Sequence, residues 1–284
     1  MPAQHPSISP GRAAVITGAA SGIGRAAAER FADLGMKVVM ADLKEETLRE
    51  AVQSVAHRSK SAGDVIGVPT DVSLREDVER LKARAYEAFG EVAVLMNNAG
   101  RGGAGQLLGE IDAWRAIIDT NLWGVVHGVQ VFAPAMIEQK TPCAIINTGS
   151  KQGITCPPGN TAYNVSKAGV KVVTEALAHE LRNVEGCQVT AHLLIPGFTF
   201  TGITAARPGA EKPAGAWTAS QVIDFMLPAM ARGDFYILCP DNEVTRAIDE
   251  KRIRWGADDI VKNRPALSRW HADFKEEFAT FMEG

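Results

Sequence analysis

The sequence lacks a strong excess of either charge, a long apolar run and an apolar leader, and each absence excludes a class of protein. Its formal net charge is only −3 over 284 residues, so it has no basic field that would hold nucleic acid. No apolar run reaches the roughly 18 residues that a membrane-spanning helix needs. Residues 1–11 contain no apolar core of a signal peptide, and they are expected to form a flexible tail. We therefore expect neither nucleic acid nor a membrane as a partner.

Closely spaced cysteines are also missing. Cys143, Cys156, Cys187 and Cys239 form no C-x-x-C pair, and the six histidines show no ligand spacing. This pattern excludes a disulfide framework and predicts no metal site. Isolated thiols suit a reducing compartment, so the expected location is cytoplasmic.

Between residues 12 and 240 the sequence contains a regular alternation of short apolar runs and helical patterns. The apolar runs predict seven strands, at 13–16, 37–41, 65–70, 92–96, 144–148, 189–195 and 235–238. The helical patterns predict helices that end near residue 34 or cover 44–60, 74–89, 111–138, 161–183 and 219–231. This alternation predicts an α/β fold with a doubly wound, Rossmann-type parallel sheet of about seven strands in a single domain.

Local signals refine these expectations at two helices and in the C-terminal segment. Ser73 and Glu76 have the spacing of a capping box at the start of helix 74–89. Pro134 is expected to kink or shorten helix 111–138. Residues 241–284 extend beyond the sheet, and we interpret them as surface helices whose aromatic side chains pack on the same domain or on a sister subunit. The alternative is a lid over the substrate.

The first strand is followed by a glycine-rich turn and then a helix. In Thr17-Gly18-Ala19-Ala20-Ser21-Gly22-Ile23-Gly24 the glycines would let the backbone approach an anion, and the helix N-terminus would face it. Asp42 ends the second strand, 18 residues after Gly24. An acidic residue at this position can accept hydrogen bonds from the hydroxyls of an adenine ribose. Its other possible role is to cap the helix that follows, and the two roles are compatible.

A second group of polar residues lies near the fifth strand. Tyr163 and Lys167 are four residues apart on one face of a predicted helix, and Ser150 follows the strand. A fixed ammonium favours the phenolate, so Lys167 is expected to lower the pKa of Tyr163. Together the three groups could exchange a proton with one substrate oxygen. The alternative is a chance pairing, because Tyr-x-x-x-Lys occurs in many helices.

Taken together, these motifs resemble the short-chain dehydrogenase/reductase family, of the single-domain Tyr-x-x-x-Lys type, over residues 12–240. The resemblance implies a catalytic tetrad of Asn121, Ser150, Tyr163 and Lys167, in which Asn121 opens its helix to a water. It also implies a set of cofactor-binding residues along the carboxyl edge of the sheet: Gly18, Ser21, Gly22, Ile23, Gly24, Asp42, Asp71, Val72, Asn98, Ala99, Gly100, Tyr163, Lys167, Pro196, Gly197, Thr199 and Thr201.

The function expected from these residues is the NAD(H)-dependent interconversion of a secondary alcohol and a ketone. NADP is disfavoured because its 2′-phosphate would lie beside the Asp42 carboxylate. The substrate is expected to be largely apolar because the predicted substrate loop 198–217 carries Phe198, Ile203 and Trp217. Charged pocket candidates are few: Arg101, Lys151, Arg207, Glu211 and Lys212. The resemblance further implies a homodimer or homotetramer.

Two other functions are compatible with the sequence. One is a dinucleotide-binding regulator or scaffold that retains the fold without catalysis, although such a protein would not need Ser150, Tyr163 and Lys167 together. The other is reduction of a carbon–carbon double bond.

Overall fold

The computed structural model describes residues 4–103, 105–204 and 210–284, and in it seven strands form one parallel sheet. The strands across the described residues are β1 (Ala13–Thr17), β2 (Lys37–Asp42), β3 (Val65–Pro69), β4 (Val94–Asn97), β5 (Cys143–Thr148), β6 (Val189–Ile195) and β7 (Tyr236–Leu238). Their order is β3-β2-β1-β4-β5-β6-β7. The order reverses between β1 and β4, so a ligand is expected outside the carboxyl ends of these strands. The predicted fold class is confirmed.

Helices connect the strands, and more helices follow the sheet. They are α1 (Gly22–Asp33), α2 (Glu45–Ala56), α3 (Arg75–Phe89), α4 (Ile111–Ile118), α5 (Gly124–Glu138), α6 (Gln152–Thr155), α7 (Thr161–Arg182), α8 (Ala219–Ala231), α9 (Arg246–Val261) and α10 (Lys275–Glu283). A π-helical segment, Asp119–Trp123, joins α4 to α5. Of the helices in the described ranges, none is both long and apolar enough to cross a bilayer.

The two faces of the sheet are covered by different helices. Because successive side chains of a strand point to opposite faces, Ile16 packs in the core formed with α1, α2 and α8. Its neighbour Val15 packs in the core formed with α3, α5 and α7. Phe31 of α1 and Phe132 of α5 are the largest side chains buried on the respective faces. The covered faces leave the carboxyl edge of the sheet as the place where polar strand ends meet.

Several local predictions differ from the structure. Helix α3 begins at Arg75, and the Ser73 hydroxyl donates instead to Asp71 Oδ1 at 2.6 Å. The predicted capping box is therefore wrong, because Asp71 competes for the serine. Pro134 does not end α5, which continues to Glu138. The helix predicted over 44–60 ends at Ala56.

The N-terminal segment is more ordered than its composition suggests. From residue 4 onward it packs on the domain, and Ile8 is buried in the core beside α1. The imidazole of His5 contacts Ser7 Oγ at 2.8 Å and Thr190 Oγ1 at 3.3 Å. This packing differs from the flexible tail that we expected over residues 1–11, of which residues 1–3 lie outside the described part.

The C-terminal segment 241–284 forms α9, α10 and two short 3-10 turns between them. Trp255 is buried, and its ring centroid lies 5.2 Å from those of both Phe278 and Phe281. The guanidinium of Arg264 stacks 3.8 Å from the Trp255 ring centroid. The aromatic side chains that we expected to pack on the domain or a sister subunit thus contact one another across α9 and α10.

Candidate active site

The glycine-rich turn between β1 and α1 is folded tightly against the end of β4. Gly18 and Gly22 have φ angles of +65° and +55°, which residues with a side chain rarely adopt. A Cβ atom on Gly18 would lie 2.7 Å from Ala99 Cα, and one on Gly24 would lie 2.2 Å from the Gly18 carbonyl oxygen. The three glycines are therefore required by backbone conformation and by close packing.

The turn also leaves the N-terminus of α1 available to an anion. Ser21 occupies the N-cap, yet its side chain makes no capping hydrogen bond within the described residues, and the first turn of α1 contains no acidic residue. Unpaired N–H groups at a helix N-terminus attract phosphate. Ile23 lies in the same turn, and the Thr201 side chain packs 3.3 Å from the position of a Cβ on Gly22. Two segments of the predicted cofactor site, 18–24 and 196–201, therefore meet here.

Asp42 faces this turn from the end of β2. Its Oδ2 accepts a hydrogen bond from the Ala20 N–H at 2.9 Å, and its Oδ1 accepts one from the Leu43 N–H at 2.8 Å. The N-cap of α2 is Lys44. The interpretation of Asp42 as the cap of this helix is therefore wrong, and its carboxylate instead lies beside the glycine-rich turn.

The ends of β3 and β4 carry the next predicted cofactor residues. Asp71 Oδ1 accepts hydrogen bonds from both the amide and the hydroxyl of Ser73, while Val72 is buried against Gly124. Asn98 Nδ2 donates to the carbonyls of Thr17 at 3.1 Å and Gly18 at 3.4 Å. The Asn98 amide thus attaches the glycine-rich turn to the end of β4.

Lys167 is buried, and its ammonium group is not paired with a carboxylate among the described residues. Nζ donates to the Thr148 carbonyl oxygen at 2.7 Å and lies 5.8 Å from the ring centroid of Tyr163. Burial lowers the pKa of Lys167 to about 8. A point near Gly100, the place of its missing Cβ, lies 3.8 Å from Lys167 Nζ and 3.4 Å from Asn121 Oδ1. Lys167, Asn121 and Gly100 therefore lie close together.

The mid-helix Asn121 is fully buried in the π-helical segment. Its Oδ1 accepts from the Arg101 N–H at 2.8 Å, and its Nδ2 donates to the Arg101 carbonyl at 3.0 Å and to Ser166 Oγ at 3.2 Å. These bonds explain why a polar residue is tolerated here, because a buried amide must be paired. They also attach the loop after β4 to α7.

Tyr163 lies in the first turn of α7, next to Ser150 at the end of β5. Burial raises the pKa of the Tyr163 phenol, and a side-chain hydrogen bond with Ser150 offsets only part of that effect. This direction is opposite to the lowered pKa expected from Lys167 in the sequence. The difference arises because the phenol is desolvated, while the lysine ammonium is directed at the Thr148 carbonyl. In the chain by itself, Tyr163 therefore holds its proton at neutral pH.

The segment after β6 completes the edge. Pro196 and Gly197 follow the strand directly, and Thr199 pairs with Trp217 in an isolated bridge. The Thr201 N–H donates to Thr204 Oγ1 at 2.9 Å. The loop 198–217 is therefore anchored at both described ends, and the pocket candidate Arg207 lies outside the described residues.

Sequence reasoning missed two threonines that organise the site. Thr17 Oγ1 accepts the N–H groups of both Asn98 and Ala99 at 3.0 Å. Thr148 binds Lys167 through its carbonyl and donates its hydroxyl to Asn98 Oδ1 at 3.3 Å. Each is the last residue of a buried strand, and that position was the available signal.

Known proteins resemble this chain over most of its length. A family model described as short chain dehydrogenase matches residues 12–212. The 1-deoxy-11-beta-hydroxypentalenate dehydrogenase of Streptomyces exfoliatus is 32% identical over 268 residues, which cover 92% of this chain and 94% of that protein. Sulfoacetaldehyde reductase 2 of Chromohalobacter salexigens is 35% identical over 202 residues, or 70% of this chain and 77% of the relative.

A solved structure gives the same result for the fold. The crystal structure of a short chain dehydrogenase/reductase from Burkholderia phymatum in complex with NAD matches with a TM-score of 0.80 and 37% identity. The match covers 91% of this chain and 96% of that chain. With the family model matching most of its length, the chain belongs to the short-chain dehydrogenase/reductase family.

Proposed function

We propose that this protein is an NAD(H)-dependent oxidoreductase that interconverts a secondary alcohol and a ketone, with Tyr163 as the general acid and base. The observation that carries the proposal is the meeting of a desolvated phenol, a serine hydroxyl and a buried ammonium at the carboxyl edge of the sheet. A general acid or base must be within reach of the proton that it transfers. The hydrogen bond between Tyr163 and Ser150 supports a position for one shared substrate oxygen beside both hydroxyls.

The same edge fits a nicotinamide dinucleotide. The uncapped N-terminus of α1 would hold the pyrophosphate, Asp42 the adenine ribose, Asp71 and Val72 the adenine, and Lys167 the second ribose. Asn98, Ala99 and Gly100 would line the bottom of this cofactor site. The segment from Pro196 to Thr201 would line its nicotinamide end. When bound, the cofactor accepts or donates the hydride and, in its oxidised form, carries a positive charge.

The residues of the chain supply the proton transfer and the positioning. In reduction, the raised pKa of Tyr163 keeps a proton available for the carbonyl oxygen, while Ser150 donates a hydrogen bond to that oxygen. In oxidation, Tyr163 takes the alcohol proton, and any added positive charge nearby favours the phenolate. Lys167 is held in place by its hydrogen bond to the Thr148 carbonyl. Asn121 holds the surrounding backbone so that a water can reach Lys167.

NAD is proposed over NADP because of the charge at Asp42. Its carboxylate can accept both ribose hydroxyls, whereas a 2′-phosphate would place like charges together. The nearest cation on α1, Arg25, is directed away from this point: it donates to Glu29 Oε1 at 3.1 Å and to Ser54 Oγ at 3.0 Å. Lys44 remains as an exposed cation beside Asp42. The NAD in the Burkholderia phymatum structure supports the same choice.

A neutral, largely apolar substrate is proposed because those charged candidates near the site that lie in the described ranges are engaged or exposed. Lys151 is paired with two carboxylates, Asp241 and Asp249. Lys212 donates to the carbonyls of Pro213 and Ala216. A cation that is already neutralised or bonded cannot also bind an anionic substrate strongly. Phe198 and Ile203 offer exposed apolar surface in the same loop.

The regulator alternative is less favoured because close relatives carry the names of a dehydrogenase and a reductase. We further propose a homodimer or homotetramer that pairs through α4–α5 and α7, since Trp123, Val165 and Val172 are exposed there. Light scattering that gives a mass near the 30.3 kDa of one chain would refute this assembly. A cytoplasmic location is proposed on the isolated cysteines alone.

The test of the proposed activity is Tyr163→Phe, which removes the transferable proton and keeps the ring. Oxidation of 1-phenylethanol and cyclohexanol by NAD should lose about 10²–10⁴-fold in kcat, while NADH binding measured by fluorescence stays nearly unchanged. Xylitol and a 3-hydroxyacyl-CoA ester serve as charged or polyhydroxylated comparisons. A tenfold preference for either would refute the apolar substrate, and a normal kcat in Tyr163→Phe would refute the mechanism.

The cofactor choice is tested with Asp42→Ala. Wild type should prefer NAD by at least about tenfold in kcat/KM, since even ~1.4 kcal/mol of repulsion gives that ratio. The variant should lose efficiency with NAD and gain it with NADP. Equal use of both cofactors by the wild type would falsify the preference, and an unchanged Asp42→Ala would show that the ribose is held elsewhere.

A further inference from the structure

A buried ion cluster lies beside the candidate active site, and the proposed reaction does not use it. It consists of Lys151, Asp241 and Asp249, which we call the Lys151 cluster. Lys151 Nζ lies 3.2 Å from Asp241 Oδ2 and 2.6 Å from Asp249 Oδ2. The three side chains are only 17%, 5% and 6% exposed. Charges so well removed from water are expensive unless they are paired, so this geometry is strongly determined.

The cluster joins three segments that are far apart in sequence. Lys151 immediately follows Ser150 and is the N-cap of α6. Asp241 follows β7, and its Oδ2 also accepts the Phe198 N–H at 3.1 Å, directly after Gly197. Asp249 belongs to α9. One ammonium thus connects the backbone at the serine, the segment on the nicotinamide side and the C-terminal helices.

Close packing at Gly197 leaves little space for the backbone or the ions of the Lys151 cluster to move. A Cβ on Gly197 would lie 2.7 Å from Asp241 Oδ2 and 2.9 Å from Lys151 Nζ. Any side chain there would displace the carboxylate or the ammonium. Conversely, movement of either ion would free the backbone at 197 and 198.

We propose that the Lys151 cluster is a clamp that fixes the Ser150 hydroxyl relative to the segment Pro196–Thr201, so that α9 acts as a positioning element of the active site. Asp249 and Lys151 are positioning residues in this assignment, because they act through Ser150 and Phe198. The inference rests on the proposed function for its kinetic consequence, but its structural consequence can be measured without turnover. It gives residues 241–284 a role that is neither a lid nor only a surface cover.

The charges around the cluster indicate which of the two carboxylates is protonated first as the pH falls. Asp249 faces Lys151 and Asp241 from the domain and Arg252 and Arg269 from its own segment. Burial raises the pKa of Asp249 despite the Lys151 ammonium. For Asp241, burial acts in the same direction, but the Phe198 N–H and the Lys151 ammonium hold its pKa below the usual value. Asp249 therefore loses its charge first as the pH falls.

The experiment compares Asp249→Asn with Asp258→Asn in the full-length protein. Asp258 lies on the same helix and pairs with Lys262 at 2.8 Å, but the side chains of Lys262 and Asp258 are 57% and 32% exposed. Hydrogen exchange is measured on peptides covering 195–203, and kcat, KM and the NADH dissociation constant are measured with 1-phenylethanol as the probe alcohol. Asp249→Asn should speed exchange at Phe198 and lower kcat by at least about tenfold, with the NADH constant changed less than about threefold. Asp258→Asn should match the wild type in every measurement.

A pH profile separates positioning from simple loss of stability. The wild-type kcat should fall on the acid side as Asp249 is protonated, and Asp249→Asn should lack this limb because its side chain does not titrate. If Asp249→Asn does not fold, Asp249→Glu replaces it, and moving the carboxylate by one methylene should shift kcat and exchange in the same direction. Wild-type exchange and kcat in the variant that folds would overturn the clamp.

Tyr163→Phe in the same assay distinguishes the two proposals. If Tyr163→Phe keeps its activity, the proposed function fails, while the exchange result at Phe198 still decides the clamp. If Tyr163→Phe is inactive and Asp249→Asn behaves as Asp258→Asn does, only the clamp fails.

Discussion

Lys167 and Lys151 are both lysines close to Ser150 with little exposed surface, yet their surroundings differ in one decisive respect. Lys167 has no carboxylate partner among the described residues and bonds only the Thr148 carbonyl, and burial lowers its pKa to about 8. Lys151 is held between Asp241 and Asp249. A buried cation without a counter-ion is costly and easily deprotonated. Replacement of a cation that lies between two buried carboxylates instead leaves their charges uncompensated, which destabilises the fold. The first environment suits proton chemistry and the second suits structural support.

The largest expected effect is on stability at Lys151. Lys151→Met should lower the free energy of unfolding by about 3 kcal/mol or more, because Asp241 and Asp249 lose the ammonium that lies between them. Urea denaturation at pH 7 measures this loss, with Asp258→Asn as the matched surface control that should show no measurable change. A loss below about 1 kcal/mol would mean that the buried carboxylates do not depend on Lys151.

Lys167→Met should have the opposite distribution of effects. Its kcat should fall about 100-fold or more, since the positioned ammonium is lost from the proposed proton-transfer site, and NAD binding should weaken. The free energy of unfolding should change by no more than about 1 kcal/mol, because removal of a desolvated charge offsets the lost bond to Thr148. Steady-state kinetics and urea denaturation on one preparation check both statements. If Lys167→Met is strongly destabilised but fully active, Lys167 has the structural role that we assign to Lys151.

The smallest expected effect is the pH dependence of stability. The folded pKa of Lys167 is about 8, below the ~10.4 of an unfolded lysine, so between these values the unfolded chain binds more protons. Stability from this group therefore rises as the pH increases from about 8 toward 10.4. The stability difference between wild type and Lys167→Met should shift in favour of the wild type by about 1–2 kcal/mol between pH 8 and 9.5. If this stability difference does not change with pH, Lys167 is not desolvated. Other groups that titrate in this range affect both proteins equally and cancel in the difference.

The sequence by itself determined the fold class and the edge of the sheet at which the candidate site residues lie. Short apolar runs alternating with amphipathic helices allow few arrangements other than a parallel sheet with helices on both faces. In such a sheet every strand carries its following residues to one edge, so Gly18, Asp42, Asn98 and Ser150 had to meet there. The Tyr163 and Lys167 pairing was likewise visible because helical spacing is local.

Other features depended on burial and on contacts between distant segments, which only the tertiary structure decided. In the chain by itself, burial of the phenol raises the pKa of Tyr163, because desolvation acts on it while the ammonium of Lys167 is directed at the Thr148 carbonyl. The capping box failed because Ser73 bonds Asp71 instead. Lys151 is separated from Asp241 by 90 residues, and no local pattern links them. Contact between α9 and α6 brings Asp249 to Lys151, and burial of all three side chains turns ordinary charged residues into a buried ion cluster.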